Sequence, residues 1–409
     1  MKSFIYLLPL YLLPFGDLLN IPKSFGWVSL CAFIGIINVI NIYPKKITYI
    51  VFIQFLILFY SIFFNKEFID NYPLLRGIFS ILWYSMPVIA LSKASLIVKK
   101  RSFVKFLNFN FYVAFALSLL SIFLSIILPK YIENYRPELT FGEPSWLGLY
   151  FYCTLGLYIP FFKTQISENI RFFKIGLFSI FMGGYSTDSA HIVSFIIGTS
   201  LFLFINNNIF KKIKILLFRF KLKKSLAINI LLLIFLILIF YFLFSINENL
   251  LARLESLFSL LEISDLNLTP QKNNNMSVLS WLNSGDKALY VLKNSPIFGF
   301  GPGSTGYFQY FSIFYKDLIA LFDGVESNWG DGYSLLFRGT IEYGSVFLII
   351  IILNFRKYFI NLQSSQLENK SIFLMSFILF IGALLKQTAL PQSIVFLAFY
   401  LPLIKINEY

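Results

Sequence analysis

The chain has 409 residues, of which 57% are hydrophobic and 13% charged, about half the roughly 25% charge of soluble globular domains. That composition excludes an ordinary soluble domain and predicts an all-α polytopic membrane protein. The formal charge of +14 would suggest a nucleic-acid partner if it lay on one soluble face. Here it is divided among short connectors between apolar runs, so no nucleic-acid partner is expected. Cys31 and Cys153 both lie within apolar runs, where a thiol behaves as a small hydrophobe, and no disulfide framework follows.

A membrane helix needs about 20 mostly apolar residues. In chain order such runs are Phe4–Leu19, Gly26–Ile42, Ile47–Phe64, Leu74–Leu91, Phe103–Leu128, Pro144–Phe162, Phe172–Tyr185, Ala190–Ile205, Leu226–Ile246, Asp331–Asn354, Ile372–Leu385 and Gln392–Ile404. The first follows Lys2 without a small-x-small cleavage site, so it is read as a retained helix and not a signal peptide. About 12 transmembrane helices are predicted, with both termini on one side. The short seventh and eighth runs meet at Gly183–Ser189; reading them as two helices keeps both basic connectors, Lys163–Lys174 and Lys211–Lys224, on the same side.

Basic residues concentrate in cytoplasmic connectors, and most Lys and Arg fall on that side under this topology. Most acids fall on the other, so the charge balance reports topology. The long loop Asn247–Asn328 then lies outside the cytoplasm. Leu250, Leu254, Leu257, Phe258 and Leu261 recur at helical spacing, as do Ala288, Leu289 and Leu292. A third loop helix is expected from about Ser304 to Leu321. Neither an internal repeat nor a low-complexity linker divides the chain, so residues 1–409 form one domain that contains the loop.

Ionisable residues at membrane depth are costly and face a polar cavity or each other. Arg76, Asp188, His191, Arg338, Glu342 and Lys386 all fall near helix ends on the side of the long loop. Arg338 and Glu342, four apart, share a helix face; they can form a mutual ion pair, or Arg338 can bind phosphate oxygens through its planar fork. Pro144 suits the first position of a helix. Glu143 before it is either a favourable helix-start charge or a general base, with Arg136 nearby for an anion. Gly301-Pro-Gly303-Ser-Thr-Gly306 matches G-x-G-x-x-G without the strand or acidic residue of a dinucleotide fold. It is read as either a turn between loop helices or an anion cradle with outward N–H groups. His191 is expected to have a packing or hinge role. No metal-ligand spacing occurs, and no cofactor is expected.

Several short motifs now line up: Phe141-Gly-Glu-Pro-Ser-Trp-Leu-Gly148 opening a helix, the small polar hairpin Gly183–Ser189, the series Ala288, Leu289, Asn294, Pro296, Gly299, Gly301 and Gly303, and Glu342-Tyr-Gly344. In this order they resemble the O-antigen polymerase and ligase superfamily of bacterial glycan-assembly membrane enzymes. The resemblance implies a GT-C-like helical scaffold in the bacterial inner membrane, with cytoplasmic termini and a periplasmic active face. It also implies partners: undecaprenyl-pyrophosphate-linked oligosaccharides, membrane lipid and a regulator of polysaccharide chain length. The ligase branch generally carries a histidine in the large loop, and Asn247–Asn328 contains none, which points to the polymerase branch. Many relatives have an Arg where this chain has Ser277–Trp281; Arg253 upstream is the substitute considered.

Such a reaction builds negative charge on a leaving pyrophosphate, which positioned cations stabilise, and requires a base for the acceptor hydroxyl. Arg136, Arg253 and Arg338, then Arg76, are the expected pyrophosphate ligands, with Gly301 and Gly303 in the anion-cradling turn. Glu143 is the first expectation for the base, followed by Asp331 and Glu326. An O-antigen ligase is the alternative with the same chemistry, and a lipid-glycan transporter or flippase the alternative from another class.

Overall fold

A computed structural model describes residues 2–15, 44–64, 77–78, 81, 95–127, 139, 144–161, 170–187, 191–206, 276–306, 334–362, 366–385 and 393–407. The described chain is mostly helical. Its helices are α1 (Lys2–Leu12), α2 (Pro44–Phe64), α3 (Lys100–Ile127), α4 (Pro144–Tyr158), α5 (Ile170–Thr187), α6 (Ile192–Asn206), α7 (Met276–Asn294), α8 (Leu335–Leu362), α9 (Leu367–Leu385) and α10 (Ser393–Tyr400). Among the described residues, three stretches are long and apolar enough to cross a membrane: Lys100–Ile127, Leu335–Phe355 and Leu367–Leu385.

The apolar runs that fall within the described residues are helical, with shifted ends. α1 stops at Leu12 and tightens into a 3₁₀ turn at Leu13–Phe15, where Pro14 supplies no N–H for a continuing helix. Pro144 does open α4, and α5 and α6 are separate helices, with Gly183–Thr187 forming the last turns of α5. The Thr187 hydroxyl bonds back to Gly183 O at 3.0 Å and Gly184 O at 3.1 Å in the last turn of α5, the local back-bonding open to threonine in a helix. The runs Gly26–Ile42 and Leu226–Ile246 lie outside the described residues, as does nearly all of Leu74–Leu91.

At the centre stands α9, buried on every side from Ser371 to Leu384. Its neighbours are α4, α6, α8 and α10. Close approach depends on glycine, as between membrane helices generally. Ile378 fills the space left by two glycines: a Cβ on Gly156 would stand 2.6 Å from its Cδ1, and one on Gly198 would stand 2.6 Å from its Cγ1. A third, Gly382, gives room to Leu149 and the His191 ring, which packs there almost wholly buried. Conversely α3 leaves Tyr112, Leu119, Phe123 and Ile126 exposed, and α2 leaves Tyr49, Phe52, Leu56 and Phe59 exposed; such outward apolar rows suit a lipid environment.

The apolar runs gave no hint of a small parallel sheet joining β1 (Leu96–Lys99) to β2 (Ile404–Asn407), in the register Leu96↔Ile404 to Lys99↔Asn407. Both strands alternate buried and exposed residues, but four residues are too few to stand out beside long apolar runs. The Lys99 N–H donates to Ser3 Oγ at 3.1 Å, the Ile406 N–H donates to Asn369 Oδ1 at 2.8 Å, and Lys100 pairs with Glu368 at 2.7 Å. The starts of α1, α3 and α9 and the end of β2 are therefore gathered at one end of the bundle.

The packing of Ile378 generates a test. Gly156→Ala should destabilise the protein by about 1–3 kcal/mol through overpacking. Ile378→Val, which removes the Cδ1 in the way, should recover much of the loss in the double variant; thermal unfolding of detergent-solubilised protein measures the cycle.

Candidate functional site

α7 and α8 run side by side in the same direction. Trp281 meets Phe337 edge to face at 4.8 Å between ring centres, Gly285 admits the same Phe337 ring, and further along Ala288 and Val291 pack with Phe300 and Ile341. Of the loop's predicted apolar face, Ala288 is buried whereas Leu289 is exposed.

After α7 the sequence Ser295-Pro296 ends the helix, since proline disfavours helical backbone in the residue before it. The chain then turns through Gly299 (φ 63°), Gly301 (φ 101°) and Gly303 (φ 81°), a region that only glycine enters routinely. This turn is matched by a break in α8, where Gly344 has φ 56° and ψ −140°. An unbroken helix would use the N–H groups of Ser345 and Val346 on the carbonyls of Ile341 and Glu342. Instead Ser345 N–H donates to Pro296 O at 2.8 Å and Val346 N–H to Ile297 O at 3.3 Å, while Phe300 N–H donates to Ile341 O at 2.8 Å and Gly301 N–H to Glu342 O at 3.0 Å. The loop has entered the helix and replaced two of its hydrogen bonds with four of its own. Gly299 and Gly344 touch where it enters: a Cβ on Gly344 would lie 2.7 Å from Gly299 N and 2.8 Å from Pro296 O.

This arrangement corrects one expectation. The Gly301 N–H does not point outward to cradle an anion, because it is spent on the carbonyl freed by the break. Gly303 supplies the left-handed backbone that leads into a short 3₁₀ turn, Ser304–Gly306, and the rest of the expected helix to Leu321 lies outside the described residues.

That turn carries Thr305 to Glu342, whose Oε1 accepts from the Thr305 hydroxyl at 2.9 Å and from Arg338 Nε at 2.9 Å. The anticipated ion pair therefore exists, and it is almost wholly buried: Arg338 is 1% exposed and Glu342 0%. Three buried oxygens here have no hydrogen-bond partner: Glu342 Oε2, Ser304 Oγ and Asn283 Oδ1. α7 adds a polar face, with Ser280, Asn283, Ser284 and Lys287 all buried. Burial pulls the Lys287 ammonium down to about 8 from its ordinary 10.5.

Of the sequence-predicted residues, Arg338, Gly301 and Gly303 meet in this site. Arg76, Arg136, Glu143, Arg253, Glu326 and Asp331 lie outside the described residues. Sequence reading passed over Lys287, Ser304 and Thr305. The signal for Lys287 was there in the 280, 283, 284, 287 spacing, a stripe of polar residues on one helical face. Comparison with protein-family models, with curated proteins and with solved structures finds no match to this chain.

The docked turn can be tested through its backbone. Gly344→Ala forces a side chain into a left-handed position costing about 1–3 kcal/mol and into contact with Gly299. Hydrogen exchange should show lost protection at the Phe300, Gly301, Ser345 and Val346 amides, while amides of α4 and α9 stay protected.

Proposed function

We propose that this chain polymerises undecaprenyl-pyrophosphate-linked oligosaccharide repeat units. In this reading it is a glycosyltransferase of the bacterial inner membrane with about twelve spans, cytoplasmic termini and the loop Asn247–Asn328 on the periplasmic face. The observation that carries the reading is the convergence of two motifs far apart in sequence. The series Asn294, Pro296, Gly299, Gly301, Gly303 and the triplet Glu342-Tyr-Gly344, on which the family resemblance rests, are hydrogen-bonded to each other through their backbones. Between them they hold a buried arginine in a fixed position.

Chemically, the lipid-linked donor must lose a pyrophosphate, and a preorganised cation in a water-poor site is the strongest means of stabilising that charge. Arg338 has the type and burial for this role. Its Nε is fixed by Glu342, so the orientation of the guanidinium is set before substrate arrives, which lowers the cost of aligning it. Arg136, Arg253 and Arg76 are the further cations of the proposal. Glu143 is the proposed base for the acceptor hydroxyl, followed by Asp331 and Glu326, and the growing glycan is transferred to the incoming repeat unit. A chain-length regulator is the protein partner that this reading entails.

Purified protein supplied with one defined lipid-linked repeat unit should yield a ladder of products on mass spectrometry. Arg338→Ala should lower the rate about 10²–10³-fold, the scale seen when one charge-stabilising donor is removed, and Glu143→Gln should abolish the ladder in correctly inserted protein. Transfer to a lipid A core without a ladder would make the protein a ligase. Movement of the lipid-linked unit across the bilayer with no ladder would replace the enzyme reading altogether.

A further inference from the structure

We infer that the basic end of the bundle, where β1 and β2 meet the starts of α1 and α3, binds the headgroups of anionic phospholipids. The inference goes beyond the polymerase reading and does not depend on it. The small sheet turns Leu96, Val98, Ile404 and Ile406 inward, all buried. Its register sets Ile97 beside Lys405 and Lys99 beside Asn407, and side chains alternate between the two faces of a strand, so these four make the outer face. Lys2 opens α1, and Lys100, Arg101 and Lys105 lie in the first two turns of α3. Together with Lys99 and Lys405 they are six exposed cations. The Lys99 N–H bonded to Ser3 Oγ at 3.1 Å holds the start of α1 against β1, which gathers them on one structure.

Little at this end offsets the charge. Among the described residues here the acid is Glu368, which pairs with Lys100, and Lys370 on the same turn of α9 adds a further cation. Glu408, just after β2, lies outside the described residues and is too little to balance the rest. Neither α1 nor α3 has an acid in its first turn. Lys2, Lys100 and Arg101 instead add positive charge to helix starts, where the helix dipole is already positive. A bound anion relieves both repulsions.

The surface next to the charge identifies the anion as a lipid. Along one side of α3 the exposed residues run Arg101, Lys105, Asn108, Tyr112, then Leu119, Phe123 and Ile126, at the spacing of a single helical face. The face is therefore basic at its start and apolar beyond. From Tyr112 to Ile126 it extends about 21 Å, enough for the roughly 15 Å hydrocarbon depth of one leaflet. Phe4 and Ile97 bring exposed apolar surface beside Lys2 and Lys405 as well. A soluble phosphate would use the cations alone, whereas a diacyl phospholipid uses the cations and the apolar face together.

Native mass spectrometry of the full chain in a neutral detergent tests this with dioleoyl-phosphatidylglycerol and dioleoyl-phosphatidylcholine, which share acyl chains and differ in net charge. The wild type should bind the anionic lipid at least about tenfold more tightly, since each Lys or Arg near an anionic headgroup contributes about fivefold. Lys405→Gln and Arg101→Gln should each lower that affinity about fivefold and leave phosphatidylcholine binding unchanged. Lys293→Gln, the same change of charge on α7 away from this end, should alter neither. Equal affinity of the wild type for the two lipids would overturn the inference, and this comparison decides if a variant does not insert. Anionic-lipid affinity unaltered in Lys405→Gln and Arg101→Gln would overturn it too, as would an equal loss in Lys293→Gln, which would mark an effect of net charge. Displacement of the anionic lipid by an equal concentration of sn-glycerol 3-phosphate would overturn the lipid assignment in favour of a soluble phosphate.

Discussion

A helix broken within a candidate membrane span must find partners for the backbone groups it releases, and this need organises the site. Gly344 lies about 14 Å along the axis from the start of α8, and an unpaired N–H or C=O in a hydrocarbon setting costs several kcal/mol. Two donors and two acceptors are released, and the Pro296–Gly301 segment supplies two acceptors and two donors in the right order. The match is what ties a loop far away in sequence to one level of one helix. A shift of the loop by one residue would leave groups on both sides unpaired.

The side-chain chemistry depends on this backbone fit. Once Gly301 is bonded to Glu342 O, the following 3₁₀ turn delivers Thr305 to the Glu342 carboxylate. That carboxylate in turn holds Arg338. A buried ion pair is a poor source of stability, because the desolvation of both charges can exceed their attraction. The unpartnered Glu342 Oε2 and Ser304 Oγ add further cost. An arrangement that gives up stability at several adjacent atoms is better explained by a ligand that completes it than by folding alone.

The helices were legible because long apolar runs have few outcomes in a membrane protein, and α5 and α6 were separable through the small polar residues from Gly183 onward, which lie at the end of α5. Arg338 and Glu342 were legible for the opposite reason, as charges in an apolar run four residues apart. The use of the glycine turn was not legible. Its glycines announced a left-handed path, but whether the N–H groups face a ligand or a partner depends on the break at Gly344, and a glycine within an apolar run is ordinary in membrane helices. Lys287 was passed over because lysines between apolar runs are normally solvated, whereas this one is buried. The β1–β2 pair joins Leu96–Lys99 to Ile404–Asn407, segments so distant in sequence that no local pattern encodes their contact.

The break also divides α8 into two segments with different neighbours. The first segment, from Leu335 to Tyr343, is joined to α7 and the glycine turn. The second packs on the scaffold: Phe355 meets Phe377 and Phe380 of α9, and the Tyr358 hydroxyl donates to Ala398 O of α10 at 2.6 Å. Across the break Phe347 folds back over Gly339, so closely that a Cβ there would lie 2.2 Å from its ring. Gly339 is the residue next to Arg338. The aromatic contact therefore carries the position of the central α9 scaffold to the backbone that holds the arginine, and the Gly344 turn allows the two segments to differ in direction without losing that contact. Placement of the cation is thus set from both sides, by the loop through hydrogen bonds and by the bundle through Phe347.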